Sequence, residues 1–390
     1  MDSTALFENA LLTATYGVQT ATIENTTTPT VRIEPAQPSE TPSPIPPTPD
    51  LNRTPPALPP VFQSDIIHPN DFPTTYIEDT CEYLLNKWDP NNSAPGTVVM
   101  PIMFHSISGG EATKQFQISH AQLEEIFYNL NEQNFKPISI HQLVDFLYNN
   151  ASIPQRSFIL IVDDRHYSLY FEDHFKATLQ EYGWQVPVTN GWISHPETLQ
   201  EVWDGNIRLN NEGWVSHQGH GVVHNIPLEE WPANTYLNID LYGQVSAEEY
   251  ATREIAGSYQ SIIEKFGEAP IAYIWPGGGF STQAVEIARE TGYQVAFTIN
   301  PRGPLMFNWI PLSNEEDPSR PSFKSEGYID DPLMVLPRYW DVDSVLHIDE
   351  VRQISKASAN YENQNMKIEL EYYDIVCRPI TGDLPSLENE

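Results

Sequence analysis

The sequence predicts an α/β fold in which buried parallel strands alternate with helices. Segments such as 157–163 (SFILIVD) are apolar without interruption, as strands covered on both faces are. The stretches between such segments space their apolar residues like helices, and Gly267 and Gly292 follow two of them as helix-ending residues. This alternation is typical of an open α/β sheet or of a barrel.

The individual elements follow in order from about residue 65. Helical spacing predicts a first helix over 76–88, and a turn-rich break follows at 91–96. Apolar runs predict strands at 97–107, 157–163, 186–193, 214–217, 271–275 and 295–299. Amphipathic patterns predict helices at 122–134, 141–148, 168–182, 247–266 and 282–291. Residues 365–379 alternate apolar and polar side chains, which predicts an added edge strand.

The N-terminal part of the chain has a different composition. Twelve of the 34 prolines fall between Pro29 and Pro60, in a stretch with little apolar surface to bury. We therefore predict a disordered Pro/Thr-rich spacer over 1–64, a helical lead-in over 65–96, a main domain over 97–350 and a C-terminal extension over 351–390. The sequence shows no basic start followed by an apolar stretch. Because such spacers often separate a domain from a cell surface, we expect an extracellular or surface-anchored protein whose leader is missing from this sequence.

Charge and apolar run length exclude several classes of partner. The 390 residues contain 20 Lys and Arg against 53 Asp and Glu, a formal net charge of −33. Nucleic acid and anionic membranes attract cationic surfaces, so neither is expected as a partner. No apolar run approaches the roughly 20 residues of a membrane-spanning helix. A neutral or cationic substrate suits this charge better than a polyanion.

The two cysteines allow two interpretations. Cys81 and Cys377 could be free thiols of an intracellular protein. They could also form one disulfide that joins the segment before the main domain to the C-terminal region, which requires an oxidising compartment. The exported character of the N-terminal region favours the disulfide.

Candidate catalytic and metal-binding residues follow the predicted strands. Asp163 and Asp164 end the strand at 157–163, where one carboxylate could bind a metal and the other could move a proton. Capping of the following helix is the alternative. Three of the eleven histidines, His217, His220 and His224, fall within eight residues. The i, i+4 spacing of His220 and His224 suits zinc or a related divalent ion, and His217 is the alternative ligand.

Three further motifs end predicted strands. His105 follows the strand at 97–107, where a structural role is the usual alternative. Trp275, Pro276 and Gly277 lead into a glycine turn that would let the backbone approach a ligand. In 336–340 (LPRYW), Arg338 could orient a carboxylate while Tyr339 and Trp340 stack on a sugar ring.

Taken in chain order, these motifs resemble the polysaccharide deacetylases of carbohydrate esterase family 4, which have a NodB-type domain. The resemblance covers roughly residues 97–345 and is nearest to the circularly permuted branch that includes poly-N-acetylglucosamine deacetylases. It rests on five strings, PIMFHSI, SFILIVDD, HGVVH, IAYIWPGGGFSTQAVEIARETGYQVAFTIN and LPRY. The resemblance implies a distorted (β/α)7-type barrel with a divalent metal at its carboxyl-terminal mouth.

The resemblance also implies roles for individual residues. Asp163 matches the general base and His105 the general acid, with Arg338 orienting Asp163. Asp164, His220 and His224 match the metal ligands, and the ion would be Zn²⁺ or else Co²⁺, Ni²⁺ or Mn²⁺. The implied reaction is removal of acetyl groups from an N-acetylated polysaccharide such as a GlcNAc-containing glycan.

Other interpretations of the same residues stay open. A carbohydrate-binding pseudoenzyme could keep this fold, and an esterase acting on O-acetyl groups of xylan could use the same site. Arg165 stands where the family motif has glycine, so it could pair with Asp163, restrict the substrate or abolish turnover. His347 is an alternative general acid if His105 is structural.

Overall fold

The structure is a computed structural model that describes residues 53–114, 116–224, 241–315 and 325–386, together with the backbone of 236–239. The predicted spacer lies largely outside these residues. Within the described part, no helix is long and apolar enough to cross a membrane. The strands are β1 Asp71–Thr74, β2 Val98–Phe104, β3 Ser106–Ser108, β4 Gln117–Ser119, β5 Lys136–Pro137, β6 Arg156–Val162, β7 Val188–Trp192, β8 Val215–Gly219, β9 Tyr236–Ile239, β10 Gly243–Ser246, β11 Ala272–Ile274, β12 Val295–Phe297, β13 Ile310–Ser313 and β14 Tyr339–Trp340.

The main sheet is parallel and follows the order β12-β11-β8-β7-β6-β2-β14, with β5 also paired to β6. Seven strands therefore lie along its path, as the predicted barrel requires. Its two edges are connected by the segment that leads into β14. Leu336 exchanges backbone hydrogen bonds with Ala296 and Thr298 beside β12, whereas Tyr339 and Trp340 pair with β2. The sheet therefore curls into a distorted α/β barrel.

Helices cover the outside of this sheet. They are α1 Thr80–Trp88, α2 His120–Glu132, α3 Ile140–Asn149, α4 Ser168–Tyr170, α5 Ala177–Glu181, α6 Gln200–Asn211, α7 Ala247–Phe266, α8 Thr282–Thr291, α9 Ser344–Tyr372 and α10 Arg378–Thr381. Two π-helical turns, Phe171–Lys176 and Tyr373–Cys377, interrupt the sequences α4–α5 and α9–α10. Gly267 and Gly292 end α7 and α8 in the left-handed conformation, as predicted.

Both faces of the central strands are buried, which explains their uninterrupted apolar sequence. In β6, Ile159 and Ile161 join one apolar cluster, while Phe158, Leu160 and Val162 join another. Successive side chains of a strand point to opposite faces. An apolar residue is therefore needed at every position of this strand.

Two expectations about the ends of the main domain are wrong. Residues 365–379 do not form an edge strand, because α9 and the π-helical turn Tyr373–Cys377 run through them. Near the other end, Phe62 is buried and its ring lies 6.1 Å from that of Trp309. Residues 53–64 therefore pack onto the main domain rather than belonging to the spacer predicted for 1–64.

Cys81 and Cys377 form a disulfide between residues that are 296 positions apart in sequence. Cys81 lies in α1 and Cys377 ends the π-helical turn after α9. The same two regions are also joined by the buried Lys87, whose ammonium contacts Glu362 and Glu369. Of the two interpretations of the cysteines, the structure contains the disulfide.

Candidate active site

The predicted site residues meet at the carboxyl ends of the parallel strands, where such folds place their sites. His105 follows β2, the pair Asp163 and Asp164 follows β6, His220 follows β8 and Arg338 immediately precedes β14. Pairing of β2 with both β6 and β14 puts the carboxyl ends of β2 and β6 close to the start of the short β14. Neighbouring strands thus bring together residues that lie far apart in the sequence.

A buried ion pair joins Asp163 to Arg338. The two terminal nitrogens of the Arg338 guanidinium donate to the two Asp163 carboxylate oxygens at 2.5 and 2.9 Å, and its Nε donates to the Thr298 carbonyl at 2.7 Å. Burial would raise the pKa of Asp163, but Arg338, followed by His105 and His220, outweighs burial and holds this pKa well below its usual range. Asp163 is therefore a fixed, ionised carboxylate.

His105 lies beside the same carboxylate. Its Nε2 is 3.7 Å from Asp163 Oδ2, and its ring stacks on Trp340 with planes 12° apart. Its Nδ1 is buried and has no hydrogen-bond partner among the described residues. The imidazole is partly exposed to solvent.

Asp164, His220 and His224 form a cluster whose candidate ligand atoms all lie within 4.8 Å of one another. Asp164 Oδ1 is 3.9 Å from His220 Nε2 and 3.8 Å from His224 Nε2. His220 Nδ1 donates to the Ile274 carbonyl at 2.8 Å, which leaves Nε2 as a buried acceptor without a partner in the described part of the chain. Burial lowers the pKa of His220 to about 4. A neutral imidazole with its free nitrogen aimed at a carboxylate suits a divalent ion.

The backbone around this cluster is held in an uncommon conformation. Asp164 and His224 have φ of 70° and 60°, a region that Asp and His enter more readily than most residues. The buried Glu254 of α7 accepts hydrogen bonds from the backbone N–H groups of Val222 and Val223 at 3.0 Å. Glu254 thus fixes the loop between the two histidines. Nothing in the sequence distinguishes Glu254 from other acidic residues of an amphipathic helix, so this role was not predicted.

Three predicted alternatives lie outside the cluster. His217 is buried with its ring stacked on Phe266, and burial lowers its pKa to about 3, so it is a structural residue and not the alternative ligand. His347 pairs with Glu350 on α9 at 2.7 Å. The guanidinium of Arg165 is exposed and donates to the Thr198 hydroxyl. No ion pair between Arg165 and Asp163 is present in this part of the structure.

The residues predicted to contact substrate differ in their exposure to solvent. Trp340 lies at the site between His105 and Phe116, whose ring is 4.8 Å from the indole. Gly277 is exposed after β11. Trp275 and Tyr339 are buried, as is Pro276, and the Trp275 indole donates to the Met334 carbonyl. Trp340 is likewise buried, with its ring against those of His105 and Phe116. A buried ring has no free face for a sugar, so stacking on Trp275, Tyr339 or Trp340 is not compatible with this structure.

Asp341 is another buried acid near the site, and sequence analysis did not single it out. Asp341 follows β14, and burial raises its pKa to about 7. Both of its carboxylate oxygens are buried, and hydrogen bonds from the backbone N–H groups of Val342 and His105 oppose the rise in pKa. The Tyr170 hydroxyl donates to the His105 carbonyl at 3.4 Å, and the Tyr170 ring stacks on His166.

Known proteins share part of this sequence. The chain is 23% identical over 234 residues to the poly-beta-1,6-N-acetyl-D-glucosamine N-deacetylases of Escherichia coli O157:H7 and of Escherichia coli strain K12. The resemblance to polysaccharide deacetylases is thereby confirmed. The match covers 53% of this chain and 34% of each deacetylase, so the chain spans about a third of the length of these curated relatives. No protein-family model matches the chain.

Solved structures of deacetylases are similar at lower identity. The Streptococcus pyogenes deacetylase PplD in complex with acetate is 16% identical with a TM-score of 0.46, covering 63% of this chain and 93% of that one. IcaB from Ammonifex degensii is 14% identical with a TM-score of 0.47, covering 67% and 99%. The BpsB deacetylase domain from Bordetella bronchiseptica is 18% identical with a TM-score of 0.44, covering 64% and 98%.

Proposed function

We propose that this chain is a metal-dependent hydrolase that removes acetyl groups from an N-acetylated polysaccharide. The observation that supports this proposal best is that the Arg338–Asp163 ion pair and His105 lie next to the cluster of Asp164, His220 and His224. This arrangement combines an ionised carboxylate, an imidazole and three candidate ligands at one barrel mouth. The name of the Escherichia coli relatives points to a β-1,6-linked N-acetylglucosamine polymer as the substrate.

Asp164, His220 and His224 would hold the divalent ion. Carboxylate and imidazole ligands suit Zn²⁺ as well as Co²⁺, Ni²⁺ and Mn²⁺. When bound, such an ion makes water easier to deprotonate and polarises the acyl oxygen. Hydrogen bonding of His220 Nδ1 to the Ile274 carbonyl presents Nε2 as the ligand atom.

Asp163 and His105 would move the protons of the reaction. Asp163 is kept ionised by Arg338 and can accept a proton from the attacking water. Arg338 holds both carboxylate oxygens, which fixes the direction of the base. His105, whose Nε2 faces the same carboxylate, would give a proton to the departing amine. Stacking on Trp340 holds the His105 ring in place.

The disulfide supports an exported protein. Disulfides persist in oxidising compartments and are rare in the cytosol. An extracellular or surface-anchored location would also bring the chain to a polysaccharide substrate.

Acetate release and metal content, measured on the same preparations, test this function. The substrates are oligomers of β-1,6-linked N-acetylglucosamine, chitooligosaccharides and acetylated xylan. We expect wild type and the exposed control Asp204→Asn to bind one equivalent of metal at this site and release acetate from a GlcNAc substrate. Asp164→Asn should lose both properties. Metal binding without acetate release would indicate a binding protein, and release from xylan alone would indicate an esterase.

Arg165→Gly addresses the departure from the family motif. Because Arg165 contacts Thr198 and not the catalytic carboxylates, we expect this variant to bind metal as wild type does. Gain of activity only in Arg165→Gly would show that the arginine blocks turnover.

A further inference from the structure

Two histidines outside the proposed active site lie on different elements, and their rings face each other. His120 is the first residue of α2, and His174 lies in the π-helical turn Phe171–Lys176. Their Nδ1 atoms are 3.2 Å apart and their ring planes are tilted by 45°. Both residues are partly exposed, so an ion in solution can reach them.

We propose that His120 and His174 form a second transition-metal site, separate from that of Asp164. Histidine nitrogens bind zinc at about 2.0–2.1 Å. Two nitrogens 3.2 Å apart can both reach one ion at that distance, with an angle of roughly 100° between the two bonds, near the tetrahedral value. Water would complete the coordination. Imidazole pairs suit Zn²⁺, Ni²⁺ and Cu²⁺, with Cu²⁺ bound most tightly.

The carboxylate of Glu124 lies beside His120, in the position of the hydrogen-bond partner that metal-binding histidines commonly have. Glu124 Oε1 is 3.5 Å from His120 Nε2, the ring nitrogen that does not face His174. Histidines that bind metal through one nitrogen commonly donate the other N–H to a carboxylate. Without an ion, one Nδ1–H donates to the other Nδ1. On binding, that proton moves to Nε2 of the same ring, so each neutral imidazole keeps one proton and both Nδ1 lone pairs face the ion.

The backbone segments that carry His120 and His174 are fixed in place by contacts that do not depend on an ion. A capping box between Ser119 and Gln122 fixes the start of α2 next to His120. Phe171 and Phe175, on either side of His174, are buried in the core. The π-helical turn is itself rare, and such turns are frequent at functional sites.

The second site is a neighbour of the proposed active site but shares no ligand with it. The His174 ring contacts that of Tyr170, with centroids 5.3 Å apart, and the Tyr170 hydroxyl reaches the His105 carbonyl. The proposal does not depend on catalysis.

Isothermal titration calorimetry of the full chain with Zn²⁺ alone, at neutral pH, tests the proposal. We expect two ions per wild-type chain and one per chain in His120→Gln or His174→Gln, with the tighter ion unchanged. His141→Gln, an exposed histidine of α3, is the matched control and should keep both ions. Loss of no ion in His120→Gln and His174→Gln, whether wild type binds one ion or two, would overturn the proposal.

A second measurement identifies the ligands directly. In a chain carrying Asp164→Asn and His220→Gln, which removes the first site, added Cu²⁺ should bind once. Its electron paramagnetic resonance spectrum should show coupling to two imidazole nitrogens, and His174→Gln in that background should abolish this signal. A spectrum without two-nitrogen coupling would contradict the assignment. Neither experiment measures acetate release, so a failure here is distinguishable from a failure of the proposed function.

Discussion

At the scale of single residues, the site depends on polar groups that are buried but partnered. Arg338 is fully buried and donates to Asp163 and to a backbone carbonyl. Removing one member of such a pair leaves the other charge buried and unpaired, which is far more costly than losing an exposed pair. The same reasoning applies to Glu254, which holds the loop between His220 and His224, the proposed metal ligands, through two backbone N–H groups.

Glu254→Gln should weaken metal binding at the first site. The amide keeps the size of the carboxylate but replaces one acceptor oxygen with a donor, which faces the N–H groups of Val222 and Val223. Loss of such supporting contacts costs roughly 10–100-fold in metal affinity. Zn²⁺ affinity measured by competition with a chelator checks this, with the exposed Glu248→Gln of the same helix as control. Equal affinities in the two variants would contradict the supporting role.

Glu326 should make the stability of the fold depend on pH. Burial raises its pKa to about 7 from an ordinary value of 4.5, although Arg302 opposes this effect. The folded protein therefore holds the proton where the unfolded chain has lost it, so stability falls as pH rises from about 4.5 to about 7 and stays lower above. The loss is at most roughly 3 kcal/mol.

Urea unfolding across this pH range measures the effect. In Glu326→Gln the decline should be flatter, whatever the absolute stability of the variant. The exposed Asp330→Asn should keep the wild-type slope. A slope in Glu326→Gln equal to that of wild type would rule out Glu326 as its cause.

The sequence predicted some of these residues better than others. Asp163, Asp164, His220 and His224 are visible because each pair is close in sequence and follows an apolar strand. His105 gained its role only from the family resemblance. Arg338 was predicted to orient a carboxylate, but only the resemblance assigned it to Asp163, because the pairing of β2 with β6 and β14 brings these residues together. Glu254 and Asp341 carry no local signal, because burial within the folded chain is what distinguishes them.

At the scale of elements, two helices show why periodicity was insufficient. The sequence did not predict α6, whose Gly205 and three asparagines have low helix propensity. Gly205 is needed there because a Cβ would lie 2.7 Å from the Ser168 hydroxyl. In the last part of α9, the alternation of Met366 and Ile368 with polar residues indicated a strand. Both side chains are in fact exposed, at 40% and 39%, and the buried positions are Glu369, Tyr373 and Cys377, at helical spacing.

Gly96→Ala should loosen the packing of α9 against the sheet. Gly96 has φ of +82°, and an added Cβ would lie 2.6 Å from both the Ala359 Cβ and the Ser355 carbonyl oxygen. The left-handed conformation costs roughly 1–2 kcal/mol for an alanine, and overpacking adds about 1–3 kcal/mol. Gly213→Ala is the matched control, because Gly213 has φ of +75° and open space around it. Unfolding free energies that fall equally in both variants would show that the contact with α9 does not matter.

At the scale of the whole molecule, the disulfide joins α1 to the end of α9 and so closes a loop that contains most of the described chain. Lys87 and Trp88 of α1 both contact Glu369 of α9, so the two helices have a polar interface beside the disulfide.

Cys81→Ser with Cys377→Ser should lower the unfolding free energy by about 2–5 kcal/mol, mainly because the unfolded chain regains its freedom. The active site lies at the carboxyl ends of the strands and shares no residue with this interface. Zn²⁺ binding and acetate release in the absence of denaturant should therefore match wild type. Urea unfolding of the double variant, beside wild type with and without reductant, tests this expectation. If reduced wild type unfolds at the same urea concentration as the oxidised protein, the disulfide does not stabilise the fold. If the double variant loses Zn²⁺ while still folded, the two ends of the molecule are coupled in a way that this structure does not predict.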